Sequence, residues 1–147
     1  MNVVDLNADV GESYGLMHSG IDSEIIPHVT SVNIATGFHS GDPDTIKKTV
    51  ELALSYSKSI GAHPSYPDLQ GFGRRKIDMD IDSIENLISY QVGALHAFSK
   101  DNLNHVKPHG ALYNNAAKDI NIAEAIFKSV DLFDNTLIHV SLANSEW

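Results

Sequence analysis

Residues 31–50, SVNIATGFHSGDPDTIKKTV, read as one strand–turn–helix unit. Ser31–Ala35 is a short, largely apolar run of strand length. Asp42 is placed to cap a helix, and Pro43 to take its first position, where a missing N–H is harmless. Ile46, Val50, Ala53 and Leu54 then recur at helical spacing, which predicts a helix over 43–58. Between strand and helix the turn GFHSGDP (37–43) delivers His39 just past the strand end.

The same pattern recurs on both sides. GAHPSYPD (61–68) follows a short run at Lys58–Ala62, and KPHGALYN (107–114) follows Asn104–Lys107. Val3–Ala8 reads as a buried first strand, leading to Asn7, Asp9 and Glu12, and Thr136–Leu142 as a fifth. Ser23–Val29 reads as a short helix weakened by Pro27. Pro64 and Pro67 predict an extended loop to about Asp80. Asp82 with Glu85 resembles a capping box opening a helix over Asp82–Ser99, and Lys118–Val130 reads as a further helix. Strands alternating with helices predict an α/β parallel sheet.

The chain fits a single domain, residues 1–147, without low-complexity segments or a dividing linker. Five strands with no closing helix leave strand five with an unpaired edge and a partly bare face, so the chain is expected to be the front part of a larger domain. A homo-oligomer could cover that edge.

Ten Lys and Arg against nineteen Asp and Glu give a net charge of −9, which argues against a non-specific nucleic-acid surface. The absence of cysteine excludes thiolate chemistry, disulfides and thiolate metal sites. No basic flank and apolar run mark a signal peptide, and no stretch approaches the roughly 18 apolar residues of a membrane span. A cytoplasmic protein is expected.

In such folds the loops beyond the carboxyl ends of the strands build the ligand site. Asn7 and Asp9 share one face of their strand, and either could orient a water, bind a metal or act in proton transfer. His39 is a candidate acid–base group or metal ligand. Asp42 is more simply an N-cap, and the helix that it starts favours an anion nearby. His63 precedes a proline that fixes its direction. Lys107 ends a strand, where lysine is either buried and paired or aimed at an anion.

His39, His63 and His109 with Asp9 would supply enough ligands for zinc, but metal-free acid–base groups account for the same pattern, and no metal is assigned. His18, His28, His96, His105 and His139 receive no role. Neither a P-loop nor a G-x-S-x-G elbow is present.

DLNADVGES, SVNIATGFHSGDP, IGAHPSYPDLQGFGRR and HVKPHGALYN, in that order, closely resemble the LamB/YcsF family. The resemblance implies a parallel β/α barrel of the glycoside hydrolase and deacetylase type, here with about five strands. It also implies ATP-dependent hydrolysis of 5-oxoproline (pyroglutamate) to L-glutamate, with ATP and Mg²⁺ as co-substrate and with 5-oxoprolinase subunits B and C as partners.

Carried over by motif, Asp9, His39, His63, Lys107 and His109 are the expected catalytic groups. Asn7, Glu12, Asn33, Asp42 and Arg74 are expected to bind substrate. Thr36 stands where the family commonly has cysteine, and Ser40 where alanine is usual. Two alternatives remain on the same residues: a metal-dependent, deacetylase-like amide hydrolase, or an inactive remnant serving as a binding or assembly module.

Overall fold

The computed structural model describes residues 3–17 and 20–147, so His18 lies outside the described residues. Five strands form one sheet in sequential order: β1 (Asn7–Val10), β2 (Ser31–Ala35), β3 (Ser59–His63), β4 (Leu103–Val106) and β5 (Ile138–His139). Every neighbouring pair is parallel. Between them run α1 (Asp22–Ile25, continued by a 3₁₀ turn), α2 (Pro43–Ser55), α3 (Ile81–Ser99), α4 (Gly110–Ala116) and α5 (Ile120–Phe133). Among the described residues the sheet stays open, with β1 and β5 as its edges.

The register sorts the strands into two unlike faces. Asp9 pairs with Asn33, Asn33 with Gly61 and Gly61 with His105, so these positions share one face, together with Asn7 and Ser31. The intervening residues Val10, Val32, Ile34, Ile60, Ala62 and Val106 are buried on the other face. They pack there with Ile46 and Val50 of α2, Ile84, Ile88 and Leu95 of α3, and Ile126 and Val130 of α5. Burying a side chain of this size contributes roughly 1.5–3 kcal/mol. The apolar face therefore holds the fold together, and the polar face is left for chemistry.

Helix starts follow local side-chain bonds. Asp42 caps α2 by accepting from the backbone N–H groups of Asp44 and Thr45, with Pro43 in the first turn. Asp119 caps α5 through Asn121 N–H. The expected capping box at Asp82 is corrected: Asp80 is the cap of α3, accepting from Ser83 N–H at 2.8 Å. Asp80 succeeds because Ser83, three residues on, offers it both its N–H and its hydroxyl.

Other boundaries also move. The first strand begins at Asn7, and Val3, Val4 and Leu6 are exposed. Side-chain bonds supplement the backbone there: the Leu6 N–H donates to Thr30 Oγ1 and Ser31 Oγ donates to Asp5, while Leu6 O accepts from the Thr30 N–H. The predicted helix over Lys118–Val130 starts later and runs further as α5, and α4 precedes it inside a stretch that reads as a turn. Leu54 is exposed rather than part of the inner stripe, and β5 is only two residues long. Among the described residues no helix is long and apolar enough to cross a membrane.

Candidate active site

The polar face of the sheet is wired by side-chain hydrogen bonds that climb towards the strand ends. Asn33 Nδ2 donates to Asn7 Oδ1 at 2.5 Å and to Asp9 Oδ1 at 2.7 Å. Its Oδ1 accepts from Asn7 Nδ2 at 3.3 Å and from His105 Nε2 at 2.7 Å. Buried Asn33 is thus satisfied on both sides, which fixes Asp9 at the rim. His105 can lie flat across β3 because its neighbour there is Gly61, where a Cβ would overlap the imidazole.

At the rim, Lys107 Nζ donates to Asp9 Oδ1 at 2.7 Å, and His63 Nε2 lies 3.4 Å from Asp9 Oδ2. A cavity of about 440 Å³ opens over this pair, lined by Asp9, His63, Arg74, Lys107, His109 and Tyr113 with their neighbours. Arg74 is exposed at the mouth, its guanidinium 5.4 Å from the centre of the Phe72 ring.

Behind the cavity three buried imidazoles converge. The rings of His39 and His109 stack at 3.8 Å, nearly parallel, and His63 stands edge-on to both. Phe72, at a left-handed φ of 54°, closes the cluster edge-on against His39 and His109. Gly73 next to it, also left-handed, leaves no room for a side chain, since a Cβ would come within 2.8 Å of His109 and 2.9 Å of His39.

The outer nitrogen of each histidine is held by an oxygen. His63 Nδ1 donates to Lys107 O at 2.6 Å, His109 Nε2 to Phe72 O at 2.8 Å, and His39 Nδ1 to Ser65 Oγ at 2.9 Å. The Ser65 hydroxyl donates to Tyr66 O, so it can only accept from His39. Glu12 Oε1 approaches the inner side, 3.3 Å from His39 Nε2 and 3.7 Å from His109 Nδ1.

Burial is the largest influence on all three histidines and holds each below its ordinary value, so they are neutral at pH 7. Burial pushes Asp9 up, but the hydrogen-bonded Lys107 ammonium opposes it, and the carboxyl is held below the usual range. Glu12 is likewise held below its ordinary value although burial raises it. The site therefore pairs ionised carboxylates with one ammonium and neutral imidazoles.

The structure gathers Asn7, Asp9, Glu12, Asn33, His39, His63, Lys107 and His109 in one network, with Arg74 at its mouth. Asp42 does something else. Its carboxylate accepts from Asp44, Thr45 and Gly15 at the start of α2, the capping role that the sequence gives it, and it lies outside this network.

Four contributors escape a reading of the sequence. His105 supports Asn33, and Ser65 orients His39. Gln91 of α3 binds the Ser65 backbone, its polarity at a core position of the helical stripe being a usable signal. Asp68 shapes the loop beneath Phe72 by accepting from the Gly71 N–H and from Arg75. Thr36, at a position where cysteine is the family expectation, is buried and donates to Gln91 Oε1 at 2.9 Å.

The model of the LamB/YcsF family matches residues 4–147. The 5-oxoprolinase A-subunit of Staphylococcus carnosus (strain TM300) is 54% identical over 145 residues, covering 97% of this chain and 58% of that protein. The same-named protein of Thermococcus onnurineus (strain NA1) is 50% identical over 145 residues, 97% of this chain and 57% of its own. The crystal structure of the lactam utilization protein from Thermus thermophilus superposes with a TM-score of 0.94 at 48% identity, over 97% of this chain and 59% of that one. The chain spans less than two-thirds of the length of each of these relatives.

Proposed function

The chain belongs to the LamB/YcsF family, and from that membership we propose that its site takes part in the ATP-dependent opening of 5-oxoproline to L-glutamate. The names of its relatives support the substrate class, a cyclic amide. On this reading ATP, with Mg²⁺, is the co-substrate, 5-oxoprolinase subunits B and C complete the assembly, and the cysteine-free chain works in the reducing cytoplasm.

A lactam amide is stabilised by resonance, and phosphoryl transfer from ATP to its carbonyl oxygen makes the ring carbon an electrophile. Water then adds to that carbon, the ring C–N bond breaks, and the nitrogen leaves as the amine of glutamate after taking a proton. One water supplies the new carboxyl oxygen, a second releases phosphate, and ADP remains.

The observation that carries this reading is Asp9 bound by Lys107 Nζ at 2.7 Å on the cavity wall, with His63 Nε2 3.4 Å from its other oxygen. While the Lys107 ammonium binds it, Asp9 is a weak base. An anionic substrate group that draws Lys107 towards itself would free Asp9 Oδ1 and raise its basicity, coupling substrate entry to water activation. Arg74 offers a second cation at the mouth for a carboxylate or phosphate.

The test is glutamate release from 5-oxoproline and ATP by the chain with subunits B and C, alongside Asp9→Asn and Lys107→Ala. The expected result is turnover that falls at least about 100-fold in either variant. Turnover that survives both substitutions in folded protein would overturn the reading.

A further inference from the structure

Three imidazoles and a carboxylate meet here with acceptor atoms facing one another. The carbonyl oxygens of Lys107 and Phe72 have no proton to give, so they fix N–H on His63 Nδ1 and His109 Nε2. The inner nitrogens, His63 Nε2 and His109 Nδ1, then both carry lone pairs, and they lie 3.0 Å apart. His39, held by Ser65, likewise turns a bare Nε2 towards Glu12 Oε1 at 3.3 Å.

Lone pairs at such distances repel, and only a positive centre between them turns the arrangement into an attraction. A proton would have to create an imidazolium among side chains that are almost wholly buried. A metal cation instead uses every one of these donors.

We propose that Glu12, His39, His63 and His109 form a binding site for a divalent transition-metal ion, with Zn²⁺ the best match to a set of three imidazoles and one carboxylate. Their donor atoms all lie within 4.8 Å of one another. Zinc bonded at about 2.0–2.1 Å places tetrahedral ligand atoms about 3.3 Å apart. Three of the six separations, 3.0, 3.3 and 3.7 Å, lie around that edge, and the others stay within 4.8 Å. Oxygen partners on the outer nitrogens are the second layer that metal-bound histidines need for orientation and basicity. Imidazole and carboxylate donors without thiolate suit zinc over magnesium or calcium, which prefer all-oxygen shells.

The site adjoins Asp9 and Lys107, so the inference deepens the reading above while resting on donor geometry alone. The probe is the metal itself. The 147-residue chain, stripped with chelator and checked by circular dichroism, is titrated with Zn²⁺ by calorimetry and with Co²⁺ by visible absorption.

One saturable equivalent is expected, with the intense ligand-field bands of four-coordinate Co²⁺. Ser65→Ala, which removes the acceptor of His39 Nδ1 together with the hydroxyl's bond to Tyr66 O, should weaken Zn²⁺ binding about 10–100-fold. Glu12→Gln and His39→Gln should weaken it further, whereas Lys107→Met should keep the metal while losing glutamate release. Absence of one-to-one binding by the folded, unsubstituted chain would overturn the proposal, as would equal affinity in the Glu12→Gln/His39→Gln double variant. Metal binding without any turnover would leave the site standing and remove the proposed reaction.

Discussion

Gln91 clamps Ser65 from both sides: its Oε1 accepts from the Ser65 N–H at 3.0 Å and its Nε2 donates to the Ser65 carbonyl at 2.9 Å. The same amide also takes the Thr36 hydroxyl at 2.9 Å. One side chain of α3 thus joins the loops that follow β2 and β3, and through Ser65 it sets the direction of His39.

Replacing Gln91 with Leu strands several buried polar groups at about 1–3 kcal/mol each. The expected outcome for Gln91→Leu is a loss of about 3 kcal/mol or more in urea unfolding, together with weaker binding of any ligand held by His39. Thr36→Val should cost less, about 1–2 kcal/mol, because Gln91 Oε1 keeps its bond from Ser65.

Gly61 and His105 make a size-matched pair across β3 and β4. A methyl group at Gly61 would overlap the imidazole, so Gly61→Ala should destabilise by about 1–3 kcal/mol. His105→Ala in the same chain should recover much of that loss. A double-mutant cycle measured by thermal unfolding checks the coupling, and simple additivity would contradict it.

Acid should weaken the fold through His105. Burial is the main cause of its low basicity; Asp5 opposes the shift, while His63 and Lys107 add to it, and the group is pushed down to about 4 from 6.5. Between those values the unfolded chain binds a proton that the folded chain refuses, so stability rises with pH. The contribution is complete above about pH 6.5 and is lost as pH falls towards about 4, on the order of 3 kcal/mol for this one group. Urea midpoints at about pH 7 and about pH 4.5 should differ less in His105→Asn than in the unsubstituted chain. Titration of the His105 ring by NMR would check the value directly.

Lys107 and Asp9 should be separable by charge. Lys107→Met removes the ammonium that helps to hold Asp9 down, so the Asp9 carboxyl should titrate nearer the ordinary carboxylate range, read by carbon-detected NMR. Lys107→Arg should preserve the low value while changing the geometry of the bond to Asp9 Oδ1.

What the sequence makes legible here is local. Ser31–Ala35 folds as read because strand length, a largely apolar run and the Asp42–Pro43 helix start agree over a short stretch of chain. His39, His63 and His109 stand out because each follows a strand in a glycine- or proline-bearing turn. Bonds between residues distant in the chain are hidden: Gln91 acts 26 residues from Ser65, and His105 acts 72 residues from Asn33. Helix α4 is equally hard to read, because KPHGALYN carries proline and glycine at its head, where they start a helix as readily as they break one. Asp9 meets Lys107 and His63 at the end of β1, whereas the loop after Gly11 brings Glu12 to His39 and His109, a placement that chain order alone does not give.

The two-faced register of the strands means that stability and chemistry share a reading frame. Odd-numbered positions of β1, β2 and β3 feed the site and even-numbered ones feed the core, so substitutions on one side leave the other intact. Loss of one residue inside β2 would have the opposite character. It would swing Asn33 among the leucines and isoleucines and expose Ile34 to the cavity, undoing both at once. Evolution can therefore retune this site by replacing side chains in place, whereas insertions and deletions are confined to the loops.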